Sequence, residues 1–426
     1  MRILLVHNRY RPGVPSGENS VVDAESAELA ARGHEVALFE RHSGDIATWS
    51  VPKRAALPLR VLWSSEARRG LQDEIDRFRP DVVHVHNTFP LITPSVLLAC
   101  RDRGVPVVAT IHNYKLGCAS GEFFRDGAVC HDCLDGRGAA IRHGCYRGRR
   151  LTTVPVVGAQ VLHARAWRTL VSAYVFISAA QQRVLAPLGL PEERCFVKHN
   201  FVPAAQAIPA PSIATPADGV HEVAYVGRLD PAKGADVLMR SWDAFRQLRP
   251  RSPLRLAVVG SGPLEDAVRR WAAGKDHVTF HGRIPRDEVP GALGRARAAV
   301  LPSSWEETFG LVAVEAMAVG TAPLATAHGS FPEIVTDGVD GALVPPSDPQ
   351  ALAHAYAGID DDPARWEGYG RAGLETYRRR FAPDAVMDRL LEIYRFAVDS
   401  PVTSRPAGGA DAVVRRPGRP GGPVRP

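Results

Sequence analysis

The chain predicts an α/β protein made of two successive domains, each a parallel sheet covered by helices and facing the other across a cleft. Three observations carry this. Its 426 residues exceed what one hydrophobic core usually organises and suit two domains of roughly 200 residues. Short β-rich apolar runs alternate with helical stretches at spacings suited to crossover units. The alternation stops at "FVPAAQAIPAPSIATPADG", residues 201–219, and then restarts.

Taken in order, "RILLVH" is the first strand, followed by a glycine-containing loop and a helical stretch near 19–32. The runs "HEVALFE", "DVVHVHN", "VPVVATIHN" and "AYVFISAA" continue the first domain to about residue 180. They are too apolar for half-solvated hairpin strands, which favours a parallel sheet buried on both faces. "HEVAYVGR", "LRLAVVGSG", "HVTFHGRI", "RAAVLPS", "TAPLAT" and "GALVPP" supply the second sheet. Residues 364–398 read as helical with a break at "RFAPDAV", where Pro383 suits an early helical position. The expected division is a first domain over 1–205 with a cysteine-rich insert at 115–150, and a second over 206–382. A helix at 383–398 packs back on the first domain, and 399–426 is a disordered tail of Pro, Gly and Arg.

A net charge of +6 favours anionic partners and leaves nucleic acid, acidic lipid and nucleotides open. No recognition module accompanies the basic tail, so DNA is a poor fit. "MRILLVHN" is too short for a signal peptide, and no run of 18 uncharged apolar residues would span a bilayer. The expectation is a cytoplasmic protein, peripheral at most on the inner face of the cell membrane.

"SSWEETFGLVAVEAMAVG", residues 303–320, carries the first chemical signal. A helix opening at Thr308 to Gly310 and ending near Val319 would leave the amides of Phe309, Gly310 and Leu311 free for a diphosphate. Glu307 and Glu315 would lie about 80° apart on a helix. A carboxylate among Val312, Ala313, Val314, Ala316 and Met317 needs donors, which a ribose diol or a basic side chain would supply. "VGRLDPAKGAD" places Arg228 and Lys233 on a loop after a strand, where two cations suit a departing pyrophosphate. Ser261 and Gly262 in "VVGSGP" allow a close backbone approach or a simple turn.

Together with "HGSFPEIV" at 328–335, "HNRYRPGVPSGENSV", "DVVHVHN" and "TIHNYK", these motifs resemble the retaining nucleotide-sugar glycosyltransferases of family 4 over nearly all of residues 1–398. The resemblance implies the GT-B fold, two Rossmann-like domains facing across a cleft. It implies transfer of a sugar from a nucleoside diphosphate sugar to a hydroxyl of an acceptor sugar, glycolipid or small metabolite, with retained anomeric configuration and no catalytic metal or cofactor. Glu315 would then bind the donor ribose, Glu307 and His112 the transferred sugar, and Arg228 with Lys233 the pyrophosphate. Gly17 and the Phe309 to Leu311 amides would approach the donor from opposite domains. Ser16 stands where several members carry a second glycine. His86 would line the acceptor side or support the cleft, while His84 is structural, and Glu333 is divided between the two roles. A nucleotide-sugar epimerase or hydrolase, or a noncatalytic sugar-nucleotide sensor, is the rival reading.

The insert after His112 carries Cys118, Cys130, Cys133 and Cys145 within 28 residues, in a C-x11-C-x2-C-x11-C pattern. A structural zinc, reduced or partly disulfide-bonded cysteines, and a redox function are its three readings. His131 and His143 are alternative ligands. The insert resembles one found in bacterial exopolysaccharide-type transferases, which implies an acceptor-side role. Arg142, Arg147, Arg149 and Arg150 could meet an acceptor diphosphate or anionic headgroups. Trp49 and Trp63 beside Lys53, Arg54, Arg60, Arg68 and Arg69 suit either a membrane interface or a helix packed on a sheet.

Overall fold

The computed structural model describes residues 1–11, 16–207 and 221–402. Most of the expected linker and nearly all of the expected tail lie outside the described residues. In chain order the strands are β1 (Arg2–Arg9), β2 (Glu35–His42), β3 (Val82–Asn87), β4 (Val107–Ile111), the small hairpin β5 (Phe124–Arg125) and β6 (Ala128–Val129), β7 (Ala173–Phe176) and β8 (Cys195–Val197). The second set is β9 (Glu222–Val226), β10 (Arg255–Val259), β11 (Val278–Gly282), β12 (Ala298–Leu301), β13 (Ala322–Thr326) and β14 (Ala342–Val344).

Two six-stranded sheets result, ordered β2-β1-β3-β4-β7-β8 and β11-β10-β9-β12-β13-β14. Every pairing within them is parallel. Counted within its own domain, the second sheet runs 3-2-1-4-5-6, the Rossmann order. In each sheet the order reverses beside the domain's first strand, between β1 and β3 and between β9 and β12. The crevice outside the carboxyl ends of such strands is where open α/β sheets bind ligands.

Burial on both faces explains the strand composition. Along β1, Leu4 and Val6 pack into one cluster with the helix Ser65–Phe78, while Ile3 and Leu5 pack into another on the opposite face. That second cluster is completed by Val386, Leu390, Ile393 and Tyr394 from the helix Pro383–Asp399, the last described helix of the chain. Each such aliphatic side chain contributes about 1.5–3 kcal/mol when fully buried. The helix starts with Pro383 in its first turn, after Arg380 ends the preceding helix. The chain therefore returns to the first domain after the second, and the described residues on the two sides of the passage touch: Tyr377 Oη donates to the Val202 carbonyl oxygen at 2.9 Å.

Candidate active site

Gly17, Arg228, Lys233 and Glu307 lie beyond the carboxyl ends of strands beside the two order reversals, while His112 follows β4, Gly262 follows β10 and Glu315 lies within a helix. In the second domain β9 leads into the loop bearing Arg228 and Lys233, and β12 leads into the loop bearing Glu307. Gly234 makes the first loop possible: its φ is 72°, and a Cβ there would sit 1.9 Å from the Pro302 carbonyl oxygen. The two loops are thereby pressed together. Lys233 Nζ lies 2.6 Å from Glu307 Oε1 and 4.9 Å from the Trp305 ring centroid. Ser303 Oγ donates to the same carboxylate oxygen at 2.8 Å. Burial alone would raise the Glu307 pKa, but Lys233 and these hydrogen bonds hold it below the usual carboxylate range.

Arg228 pairs with Asp230 on its own loop and with Glu122 Oε1, at 2.6 Å, from the insert of the first domain. Those two carboxylates outweigh desolvation and raise its pKa. Gly262 lies beneath this loop rather than in an open turn; its Cβ would meet the Leu229 carbonyl oxygen at 2.5 Å. The segment "HGSFPEIV" folds back over the carboxylate loop, with Ser330 N donating to the Glu307 carbonyl oxygen at 3.0 Å.

The helix Leu311–Ala318 begins one residue later than the latest expected opening, with Gly310 as its N-cap at φ 76°. A Cβ on Gly310 would collide with the Phe331 ring at 2.4 Å. With Gly310 as the N-cap the helical first turn begins at Leu311, and the Phe309 side chain is buried in the core beneath. Across the cleft Gly17 opens the helix Gly17–Ala31, and a Cβ built on it would lie 3.8 Å from Leu311 Cδ2. Ser16 caps that helix by accepting from Asn19 N at 3.2 Å.

Glu315 is buried and accepts from Arg286 Nη2 at 2.6 Å. A basic side chain, one of its two expected classes of donor, is in place. Burial still raises the Glu315 pKa, with Arg286 offsetting part of the rise. Glu333 caps the helix Ala179–Leu185 of the first domain, accepting from Ala179 N at 2.8 Å and from Ala180 N. That is a contact between the domains.

In the first domain His112 follows β4 and shares a hydrogen bond of 2.9 Å between its Nε2 and His86 Nδ1. Burial lowers the His112 pKa to about 3, so both rings are neutral at physiological pH. His84 points to the other face, between Tyr394 Oη and Thr110 Oγ1, each at 2.7 Å. His86 and His112 line one end of a cavity of about 160 Å³.

The insert does not assemble a four-sulfur zinc site. Tetrahedral zinc needs its sulfurs within about 4 Å of one another, and among the described residues the sole cluster with metal-ligand spacing is Glu25, His84 and His86. The four lie near one another, since Cys133 hydrogen-bonds Cys118 and interacts with Cys145 and Cys130, but no three of their sulfurs close to metal-ligand spacing. All four are free thiols. The hydrogen bond with Cys133 lowers the Cys118 pKa. His131 is engaged by Glu306 of the second domain at 2.6 Å, and His143 by Asp132 at 3.2 Å. The Glu25 trio is packed core: both His84 nitrogens are occupied and Lys198 pairs with Glu25.

Several site residues escaped sequence reasoning. Glu18, beside Gly17, contacts Tyr10 Oη at 3.2 Å and Asn113 Nδ2 at 3.3 Å, and burial raises its pKa to about 7. Its adjacency to Gly17 was the available signal. Glu122 and Arg286 lie 106 and 29 residues from their partners, with no motif linking them.

Both domains match known families: residues 15–206 match Glycosyltransferase Family 4, and residues 213–375 match Glycosyl transferases group 1. The chain is 30% identical to a glycogen synthase of Mycobacterium tuberculosis over 432 residues, covering 92% of this chain and 94% of that one. It is 29% identical to D-inositol 3-phosphate glycosyltransferase 1 of Catenulispora acidiphila, over 75% of this chain and 73% of the relative. Anabaena HepE in complex with UDP has the same fold, with a TM-score of 0.65 at 18% identity over 92% of this chain and 99% of that one. Sucrose-phosphate synthase from Thermosynechococcus elongatus gives 0.66 at 20% identity, over 92% and 98%. The fold and the paired loops define a GT-B glycosyltransferase. The chain belongs to glycosyltransferase family 4.

Proposed function

We propose that the protein transfers a sugar from a nucleoside diphosphate sugar to an acceptor hydroxyl, with retention at the anomeric carbon, in the synthesis of a cell-surface glycan or glycolipid. The observation that carries this reading is the convergence of Arg228, the Lys233–Glu307 pair and the Leu311 helix start at the order reversal of the second sheet. HepE has been solved with UDP and with UDP-glucose, which supports a nucleotide donor.

In this reading Arg228 and Lys233 neutralise the departing diphosphate, with the first-turn amides of Leu311–Ala318 beside them. Glu307 contacts the transferred sugar from the second domain and His112 from the first. Glu315 binds the ribose diol, sharing its carboxylate with Arg286. The anomeric carbon–phosphate oxygen bond breaks as the acceptor oxygen bonds to the same face, and the acceptor proton passes to the leaving phosphate. No protein nucleophile, metal or cofactor is assigned to the chemistry. The reaction takes place on the cytoplasmic side, with the first domain in peripheral contact with an anionic membrane.

The test is saturation-transfer NMR and turnover with UDP-, GDP- and ADP-sugars, with and without lipid extract, beside Glu315→Ala. A donor signal lost in the variant, with product formed only when extract is present, supports the transferase. Turnover without acceptor supports an epimerase or hydrolase and sinks the proposal.

A further inference from the structure

The cavity beside His112 has a chemistry of its own. One end is formed by the termini of β3 and β4 with His86 and His112, and its farther walls include Val61, Val156, Ala159, Trp167, Leu188 and Leu190. Its lining contains no Asp or Glu, yet three cations reach it: Lys115, Arg137 and Arg168. Among the described residues none of them forms an ion pair with a carboxylate, although Glu18 and Glu122 act on Lys115 at longer range. Arg137 donates to the Leu116 carbonyl oxygen at 2.6 Å, Arg168 to that of Ala164 at 3.4 Å, and Lys115 lies 4.7 Å from the Phe89 ring centroid. Apolar walls with cations that no carboxylate pairs directly suit an alkyl chain joined to a phosphate better than they suit a bare polyol.

The helices that wall this cavity carry an exposed apolar face on their other side. Val61 belongs to the helix Leu57–Leu62, and Val156 and Ala159 to the helix Arg150–Leu162. Leu59 is 70% exposed, Leu151 88%, Val154 48%, Val161 60% and Leu162 57%. The four on Arg150–Leu162 fall within an arc of about 100°. The two helices are one unit: a Cβ on Gly158 would touch Leu62 Cδ2 at 2.8 Å, and His163 Nε2 bonds the Leu62 carbonyl oxygen at 2.8 Å. Their surroundings are predominantly basic, with Glu66 pairing Arg60 at 3.0 Å. Residues 136–170 carry seven arginines and no acid, and residues 46–65 carry Lys53, Arg54 and Arg60 and no acid.

We propose that this face docks on an anionic lipid bilayer, and that the cavity behind it takes the apolar, phosphate-bearing part of an amphiphilic acceptor drawn from that bilayer. Charge complementarity selects the occupant: apolar tips ringed by arginines fit an acidic lipid surface. The proposal rests on the transferase reading and adds the acceptor class and the surface that delivers it.

The full chain is to be sedimented with vesicles of phosphatidylcholine alone and of phosphatidylcholine with 30% phosphatidylglycerol, a composition in the range of about one anionic lipid in three. Wild type binds the anionic vesicles, and Leu59→Glu/Leu151→Glu/Val154→Glu lowers that binding at least about tenfold. Lys53→Glu/Arg54→Glu, which leaves the apolar face intact, lowers it by roughly fivefold or more. Donor binding, read separately by saturation transfer, is unchanged in both; its absence from wild type would instead count against the transferase reading. Dodecyl phosphate, below its micellar concentration, perturbs Trp167 fluorescence, with Trp167→Phe as the control, and Ala159→Trp blocks this without altering vesicle binding. Equal binding to both vesicles, or none, overturns the docking surface. A wild-type dimer dissociated by the same glutamates gives the face to a second copy and also overturns it. Inorganic phosphate or an alkyl maltoside displacing dodecyl phosphate equally well overturns the amphiphile.

Discussion

Lys233 and Glu307 test how charge is held at the site. Lys233→Ala leaves a buried carboxylate without its cation, which costs about 3 kcal/mol or more when a buried pair loses one partner. The double change Lys233→Ala/Glu307→Gln removes the orphaned charge. It should recover most of the stability, measured by urea unfolding, while turnover stays lower by about 10²–10³-fold. Glu18 yields a pH prediction. Its pKa rises on folding from an ordinary 4.5 to about 7, so the fold favours the protonated acid. Nothing is lost below the unfolded value, and stability falls as pH rises through the folded one. Glu18→Gln should therefore melt with wild type near pH 4.5 and above it at pH 8; equal differences at both pH values would refute the assignment. At this scale the sequence displayed residue types but not their partners. Glu315 in an apolar helix demanded a donor, and nothing local could announce Arg286.

Elements were far more legible, because period and burial act locally. All six strands of the second sheet stand where their apolar runs predicted, and five of the first. The sixth, β8, is the three-residue "CFV", too short for any alternation to register, and β5 and β6 are shorter still. The helix after Glu307 starts late because Gly310 must adopt a positive φ against Phe331, a tertiary demand. Loop geometry supplies a graded test. Gly234→Ala forces a Cβ into the Pro302 carbonyl oxygen and should destabilise the protein by more than about 2 kcal/mol. Gly127→Ala has a similar φ of 80° but meets nothing within 4 Å. It should cost only the conformational penalty, about 1 kcal/mol, in the same unfolding assay.

For the whole molecule, composition and rhythm predicted two domains and a cleft, while the contacts that close the cleft came only with the fold. Glu122 reaches from the insert to Arg228, His131 meets Glu306, and Ser178 Oγ donates to the Thr308 carbonyl oxygen at 2.7 Å. If Arg228 receives a diphosphate, Glu122 competes for it. Glu122→Ala should then tighten UDP binding by up to about fivefold in calorimetry, and weaker binding would show that the insert assists the donor. The helix Pro383–Asp399 has a consequence for how the protein is made. The first domain's sheet is complete in sequence by Val197, but one of its faces waits for residues as late as Tyr394 and Ala397. At ordinary synthesis speeds that interval lasts on the order of ten to forty seconds. Throughout it Ile3, Leu5 and Val108 lack the part of their apolar cover that this helix supplies, so the growing chain offers chaperones a hydrophobic surface until Pro383–Asp399 leaves the ribosome.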